Sequence, residues 1–381
     1  MMRYLLQWFW FMALVFGLQA CQPATDPETG PNAVVTRVSE VLADERVAGY
    51  ARAEHPRDFQ FPADHGPHLG FRNEWWYITG HLVDDAQRRW GLHLTLFRVA
   101  LAPEFAGEAL FRASGWSTRH LWMGHAAITD LATGRHVSTE RFAREAVGLA
   151  GALPNGERIW LEDWFLADLD QDLWNLSFAV EPYTVDLSLR PLRAPVLQGE
   201  AGLSQKGHEP GNASYYYSIP RIAVQGQLDD GQTTHSVHGQ AWLDREWGTS
   251  ALGSDQIGWN WFALQLDDGL DVMVYQLRQS DGQPHPLSKG RWMPEHTQGV
   301  LISAEQFTLL PLREARMASG RVYPVAWRLQ IPEHDVDWTV EALLDQQEMN
   351  SFIPYWEGAV AVRDAHGQRI GWGFVELTGY E

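Results

Sequence analysis

The chain has 381 residues and a formal net charge of −19, from 48 acidic and 29 basic side chains. This acidity argues against nucleic acid and anionic membrane surfaces as partners. A hydrophobic content of 45% supplies cores for two domains of ordinary size and excludes disorder over most of the chain. There are 19 tryptophans, each combining a large apolar area with one N–H donor, a combination suited to protein cores and to the walls of ligand pockets.

The first twenty residues have the layout of a signal peptide. Arg3 precedes an apolar run from Tyr4 to Gly17, which is shorter than the roughly 20 residues that a membrane-spanning helix needs. The run ends in Leu18-Gln19-Ala20-Cys21, which resembles the bacterial lipobox, where the cysteine is lipidated. Because Cys21 is the only cysteine, an intramolecular disulfide and a Cys-x-x-Cys site are excluded. We expect a lipid-anchored envelope protein that faces the periplasm, and Gln22 after the cysteine favours the outer membrane.

The remainder of the chain predicts a tether over residues 21–57 followed by short β-strands separated by turns. Residues 74–83 and 89–101 flank the turn Asp84-Asp85-Ala86-Gln87 and predict a hairpin. A short helix is expected within residues 139–150. Further strands are expected at 159–166, 173–180, 184–189, 215–219, 222–228, 238–243, 258–266, 270–277, 307–311, 325–331, 338–342, 358–362 and 370–377.

Strands at this spacing are typical of an all-β, predominantly antiparallel fold of the barrel or sandwich type. They fall into two sets, each large enough to close separately. This division predicts an N-terminal domain over residues 58–243 and a C-terminal domain over residues 244–381, joined near Asp244.

Four aromatic-rich strings resemble the AttH and carotenoid 1,2-hydratase-like family. They occur in order across nearly all of the chain that follows the tether: Asn73-Glu74-Trp75-Trp76-Tyr77 with Gly80-His81-Leu82, Ala213 to Arg221, Ala241-Trp242-Leu243-Asp244-Arg245-Glu246-Trp247-Gly248, and Tyr355-Trp356-Glu357-Gly358 with Gly371 to Tyr380. The resemblance implies two lipocalin-like β-barrel domains. It also implies one of two activities. The first is acid–base catalysis on a terpenoid or polyketide molecule, and the second is a non-catalytic role in association with an ABC-type transporter.

The carotenoid hydratases differ from this chain at two places. They carry an Asp-His-Asn-Trp-Gly type of sequence where this chain has Asp244 to Gly248, so that Arg245 occupies the position of their histidine. They also have a tyrosine followed two residues later by an acid; Tyr275 matches the tyrosine, and Leu277 occupies the position of the acid. Carotenoid hydration is therefore not the expected reaction.

The acids beside tryptophans are the candidate catalytic groups. Protonation of an alkene needs an acid next to aromatic faces that stabilise the carbocation, and burial raises the pKa of a carboxyl towards neutrality. The catalytic candidates are Asp244, Glu246, Tyr275 and Glu74. On a strand, Asp244 and Glu246 point to one side and Arg245 to the other. If Arg245 instead pairs with one of these acids, that acid has a structural role.

The candidate ligand-binding residues are Trp75, Trp76, Trp247, Trp259, Trp261, Arg245 and Glu357, with ordinary core packing as the alternative for each tryptophan. No cofactor or metal is expected: the histidines of His65-Gly66-Pro67-His68, with His81 and His93, match no standard zinc spacing. The sequence contains no phosphate-binding loop and no nucleophile elbow.

These observations predict a protein that binds a hydrophobic, terpenoid-like or acyl-like molecule. It either hydrates or isomerises that molecule, or carries it without chemistry as a chaperone beside an ABC-type exporter. A purely structural envelope role is the third alternative.

Overall fold

The computed structural model describes residues 48–103, 118–250, 252–253 and 255–380. The predicted signal peptide, Cys21 and most of the predicted tether lie outside these residues. The end of the tether is described and packs on the protein, since Ala53 is fully buried and the Tyr215 hydroxyl donates to the carbonyl of His55 at 2.9 Å. Within the described part, no helix combines the length and apolar character required to cross a membrane.

Thirteen strands of the described residues form the first sheet, and every pairing in it is antiparallel. The strand order is β4-β3-β2-β1-β13-β12-β9-β8-β7-β6-β5, with β10 and β11 paired to β12. The strands are β1 (Asn73–Asp84), β2 (Arg89–Ala100), β3 (His120–Asp130), β4 (Arg135–Arg144), β5 (Ala150–Ala152), β6 (Arg158–Leu161), β7 (Trp164–Ala167), β8 (Trp174–Val180), β9 (Tyr183–Pro191), β10 (Val196–Leu197), β11 (Leu203–Gln205), β12 (Ala213–Asp229) and β13 (Thr234–Gly248).

Ten strands form the second sheet, again with antiparallel pairing in the described residues. Its order is β17-β16-β15-β14-β23-β22-β20-β19-β18, with β21 paired to β22. The strands are β14 (Gln256–Leu266), β15 (Asp271–Gln279), β16 (Lys289–Met293), β17 (Val300–Ser303), β18 (Thr308–Arg316), β19 (Val322–Ile331), β20 (Val336–Ala342), β21 (Glu348–Met349), β22 (Tyr355–Arg363) and β23 (Arg369–Leu377).

Helical structure in the described residues is confined to short 3-10 turns. They span Ala63–His65, Ala146–Gly148, Pro154–Gly156, Ala304–Gln306 and Pro332–His334. The short helix expected within 139–150 is reduced to the 3-10 turn Ala146–Gly148, because residues 135–144 pair along their length with β3 as strand β4. This pairing overrides the local helix propensity.

Each sheet curls around its own core, because alternate side chains of its strands point to the same side. The first core contains the fully buried Trp76, Trp90 and Trp164, and the second contains Phe262, Tyr323 and other buried apolar side chains. The prediction of a nearly all-β antiparallel protein with two curled, barrel-type sheets is confirmed. Asp244, where we placed the join, lies within β13, and the second sheet begins at Gln256.

The outer faces of the two sheets pack against each other. Tyr77 of the first sheet contacts Trp261 of the second edge to face, with ring centroids 5.1 Å apart. The buried Arg193 reaches across and donates to Asp271 at 2.5 Å. These contacts bury a third apolar cluster between the sheets.

Gly91 on β2 lies where the two sheets approach each other closely. A Cβ atom at this position would lie 2.9 Å from the Cβ of Ala359 on β22, which is fixed to the opposing backbone. We expect Gly91→Ala to lower the free energy of unfolding by about 1–3 kcal/mol through overpacking, measured by urea denaturation. The control is Gly70→Ala, whose added Cβ would meet Ala51 at 3.6 Å; an equal effect of both substitutions would contradict the close approach.

Candidate functional site

Successive side chains of β1 and β13 point to opposite faces of the first sheet, and this alternation divides the predicted site residues into two groups. Trp75 pairs with Glu246, and Tyr77 pairs with Asp244, and these side chains point towards the second sheet. The intervening residues point into the first sheet's core. This second group comprises Glu74, Trp76, Arg245 and Trp247.

Glu74 lies fully buried between two arginines. Arg245 donates to its Oε2 at 2.6 Å, and Arg98 contacts its Oε1. Burial alone would raise the pKa of Glu74, but the two guanidinium groups hold it well below its ordinary range. Glu74 therefore has no proton to donate near neutral pH, which corrects its assignment as a catalytic acid.

Arg245 is also fully buried, and its side chain packs within the first sheet. Its guanidinium lies 3.8 Å from the ring centroid of Trp76 and 5.2 Å from that of Trp247, inside the first sheet. The predicted ligand-binding roles of Arg245, Trp76 and Trp247 are thus replaced by packing contacts and the ion pair with Glu74.

The other predicted residues meet between the sheets in a region that we call the acid layer. Its carboxyl groups come from both sheets, and aromatic side chains surround them. The acid layer consists of Asp244, Glu246, Glu357 and Glu376 with Trp75, Tyr77, Tyr216, Trp259, Trp261 and Tyr275.

Asp244 is 4% exposed and accepts three hydrogen bonds in the acid layer. Ser218 and Trp242 donate to Oδ1 at 2.5 and 2.6 Å, and the Tyr216 hydroxyl donates to Oδ2. Trp261 of the second sheet donates in turn to the Tyr216 oxygen at 3.1 Å. Burial raises the pKa of Asp244 to about 7, although the three hydrogen bonds oppose that rise. Asp244 can therefore exchange between acid and carboxylate near neutral pH.

Glu357 and Glu376 are register partners on β22 and β23. The Tyr77 hydroxyl donates to Glu357 at 2.7 Å, and the Trp259 indole donates to Glu376 at 2.6 Å. Burial, followed by repulsion from Glu376, raises the pKa of Glu357 well above its ordinary range, and burial raises that of Glu376 to about 7. These two adjacent carboxyl groups, of which Glu357 is buried and Glu376 partly exposed, favour holding a shared proton.

The shared proton gives an infrared prediction. At pH 7 the wild-type protein should absorb as a buried protonated carboxyl, and Glu357→Gln should weaken that absorption, because an ordinary glutamate is ionised at this pH. Glu305→Gln, at an exposed position, should leave it unchanged. A wild-type spectrum containing only carboxylates at pH 7 would contradict the shared proton.

Glu246 occupies a more polar part of the acid layer. It contacts the ammonium group of Lys206 and the hydroxyl of Ser214. The Lys206 ammonium lies 5.8 Å from the ring centroid of Tyr275, whose hydroxyl is 3.0 Å from Ser204. Burial raises the pKa of Tyr275, so that it stays a phenol and serves as a hydrogen-bonding group.

Histidines border the acid layer on the other side. His93 Nδ1 lies 3.7 Å from Glu357 Oε1, and the Tyr355 hydroxyl lies 2.8 Å from His125 Nδ1. His125 Nε2 in turn lies 2.9 Å from Glu140. Burial holds the pKa of His93 well below its ordinary range, so that this ring is neutral.

The acid layer opens to solvent at Trp75, Trp259 and Glu376, which are partly exposed. Two cavities lie elsewhere: one of about 360 Å³ is lined by residues that include Phe61 and Trp174, and one of about 290 Å³ by residues that include His81 and Trp372. The acid layer lines neither of them. The predicted acid-rimmed pocket is thus neither of these two cavities, and the acid layer meets solvent at its partly exposed edge.

Sequence reasoning missed Tyr77, Tyr216, Glu376 and Lys206. Tyr77 lies two residues after Trp75 on the same face of β1. Tyr216 and Glu376 lie within two strings that carry the family resemblance. Reading alternate positions along all these strings would have found the tyrosines and Glu376. Lys206 lies between β11 and β12 and has no sequence signal.

Comparison with known proteins supports the family prediction. The AttH-like family model matches residues 52–380. A crystal structure provisionally assigned as AttH, from Nitrosomonas europaea, is 32% identical with a TM-score of 0.78, and the match covers 87% of this chain and 100% of that chain.

Hydratases are among the relatives. Kievitone hydratase from Fusarium solani subsp. phaseoli is 22% identical over 207 residues, which cover 52% of this chain and 57% of that protein. This chain therefore spans little more than half the length of that curated relative. The crystal structure of kievitone hydratase from Nectria haematococca has a TM-score of 0.64 at 14% identity, covering 87% of this chain and 95% of that chain, and shares the fold. From the match over residues 52–380, we conclude that the chain belongs to the AttH-like family.

Proposed function

We propose that this protein is a hydratase-type enzyme that adds water to a carbon–carbon double bond of a hydrophobic molecule, with Asp244 as the proton donor. The main observation behind this proposal is the Asp244 carboxyl. It is 4% exposed, lies among aromatic side chains and has a pKa raised by burial to about 7. Such a group is a neutral acid for part of the time at neutral pH, as proton donation to an alkene requires. The hydratase among the relatives supports the same class of reaction.

The reaction uses groups that are present in the acid layer. Asp244 gives its proton to one alkene carbon, and the electron pair of the double bond forms the new C–H bond. The positive charge left on the other carbon is stabilised by an aromatic face of the acid layer, such as that of Trp75 or Trp259 at the open edge. Water attacks that carbon, and its surplus proton returns to the Asp244 carboxylate. The reverse sequence dehydrates an alcohol.

The open edge of the acid layer supplies the route for the substrate. Trp75 and Trp259 offer partly exposed apolar surface there, and Glu376 accepts a hydrogen bond from Trp259. An apolar molecule with one polar end matches this combination, because the tryptophans bind its apolar body and the carboxyl groups bind its polar end.

The proposal is tested by mass spectrometry in ¹⁸O-labelled water. The full-chain protein is incubated with terpenoids and prenylated phenols that contain an isolated double bond, and a product heavier by one labelled water is expected. Asp244→Asn should not form it. An apolar molecule that co-purifies with the protein and is released unchanged, with no conversion by either protein, would instead identify a carrier.

We also propose that Cys21 is lipidated and anchors the protein in the envelope facing the periplasm, where an ABC-type exporter is a candidate partner. The lipobox-like string that ends at Cys21 supports this proposal. Metabolic labelling with an alkyne fatty acid should mark the wild-type protein, and Cys21→Ser should remove both the label and the membrane association. Labelling that persists in Cys21→Ser would contradict the anchor.

A further inference from the structure

Three loops meet beside the acid layer and bring two histidines and one aspartate together. His208 lies between β11 and β12, Asp255 between β13 and β14, and His285 between β15 and β16. Hydrogen bonds already join these loops: Gln256 donates to the carbonyl of Lys206 at 2.5 Å, and the Ser280 amide donates to the carbonyl of Asp255 at 3.2 Å. These hydrogen bonds hold the three loops, and with them the three side chains, near one another.

His285 carries the most informative atom of this group. The side chain is fully buried, and its Nε2 lies 3.5 Å from Asp255 Oδ2 without an ordinary hydrogen bond to any residue that the structure describes. At 3.5 Å this nitrogen is farther from the carboxylate than in an ordinary hydrogen bond, for which about 2.7–3.2 Å is usual. It faces a carboxylate, so a cation placed between the two atoms would satisfy both.

His208 completes a set of three ligands. Its ring centroid is 5.1 Å from that of His285, and the ligand atoms of His208, Asp255 and His285 all lie within 4.8 Å of one another. Ligands in a tetrahedral zinc site lie about 3.3 Å apart, as bond lengths of about 2.0–2.2 Å require. The 3.5 Å between His285 Nε2 and Asp255 Oδ2 is close to this spacing. His208 is exposed, so its side chain can rotate inward to bring a ring nitrogen within ligand distance of the same ion.

We propose that His208, Asp255 and His285 bind a divalent transition metal ion of the zinc class, with a water molecule at the remaining position. Two imidazole nitrogens and one carboxylate oxygen suit Zn²⁺ and Co²⁺, whereas Mg²⁺ and Ca²⁺ prefer oxygen ligands alone. His208 and Asp255 are exposed, so that an ion can reach the site from solvent.

Metal binding requires a change of tautomer in His285. The Leu287 amide donates to Nδ1 at 3.2 Å, so that the neutral ring carries its proton on Nε2. The metal takes the Nε2 position, the proton moves to Nδ1, and the Leu287 amide loses its acceptor.

The position of this site suggests its effect. Lys206, which contacts Glu246 in the acid layer, is two residues from His208, and Leu287 packs against the apolar cluster between the sheets. A bound ion would fix both loops at the rim of the acid layer. The proposal does not depend on the hydratase reaction, because its tests measure binding.

The experiment is calorimetric titration of the full-chain protein with Zn²⁺, together with visible spectroscopy of Co²⁺. We expect one Zn²⁺ per chain and the Co²⁺ spectrum of a site with nitrogen ligands. Loss of an outer-shell partner already costs about 10–100-fold in metal affinity, so His285→Ala should cost at least that. Asp255→Asn and His208→Ala, both at exposed positions, provide variants that retain the fold.

The matched control is His296→Ala, which removes an exposed histidine 3.4 Å from Glu295 and should leave Zn²⁺ affinity unchanged. Because Cys21 is also a potential metal ligand, the titrations use a Cys21→Ser background. Zn²⁺ binding that is absent at millimolar concentration, or unaffected by all three ligand substitutions, would overturn the proposal.

Discussion

Replacing Glu74 with glutamine should lower the free energy of unfolding by about 3–5 kcal/mol, because it leaves two buried guanidinium groups without a counter-charge. Arg98 and Arg245 are both 0% exposed and both contact the Glu74 carboxylate. The substitution preserves shape and removes charge, so the loss measures electrostatics and not a cavity. Urea denaturation monitored by tryptophan fluorescence provides the measurement.

The control for this prediction is Glu295→Gln at an exposed position. Glu295 is exposed and lies 3.4 Å from the exposed His296, and loss of its charge should change stability by less than about 0.5 kcal/mol. A comparably small effect at Glu74 would show that the two arginines are not stabilised by this carboxylate.

Asp244→Asn should reduce catalysis by about 10²–10⁴-fold, the usual contribution of a general acid, while leaving the fold intact. Asparagine reproduces the protonated carboxyl: its oxygen can accept from Ser218 and Trp242, and its NH₂ group can donate to the Tyr216 oxygen. Loss of turnover with retained ligand affinity is the expected pattern. A variant with full turnover would remove Asp244 from the reaction.

The same substitution gives a stability prediction with a defined sign. The pKa of Asp244 rises from 3.8 to about 7 on folding, so the folded protein binds the proton more tightly than the unfolded chain. The stability from this group is complete below pH 4 and is lost as the pH rises to about 7, by up to about 4 kcal/mol. Asp244→Asn should therefore gain stability relative to the wild type between pH 4 and pH 7, as measured by urea denaturation across this range. A constant difference would mean that Asp244 titrates normally.

Sequence pattern predicted the fold well where one face of a strand is buried. The alternation of Asp244 and Arg245 was sufficient to place them on opposite faces of β13, and the structure confirms that placement. Pattern could not show that Arg245 pairs with Glu74, because their contact depends on the pairing of β1 with β13. Glu74 and Asp244 are both acids beside tryptophans, and only their surroundings separate a permanent carboxylate from an acid that titrates near neutrality.

The remaining site residues depend on how the sheets pack together. Glu376 meets Glu357 because β23 pairs with β22. Glu357 in turn contacts Tyr77 of the first sheet, and their separation along the sequence gives no sign of that contact. His208 and His285 lie on loops that approach only in the folded protein. Local spacing at His65 and His68 matched no standard zinc pattern, and it contained no information about a ligand set drawn from three separate loops.

The pairing of β1 with β13 has a consequence for the kinetics of folding. It places Tyr77 next to Asp244, so the part of the acid layer that these two strands supply forms only after a loop of about 170 residues has closed. Contacts so distant along the chain form slowly, because the entropy of loop closure is lost before any contact energy is gained. Chains that stall before this step would leave one edge of β1 and one edge of β13 unpaired, with their apolar faces exposed. Aggregation during refolding should begin at these two strands.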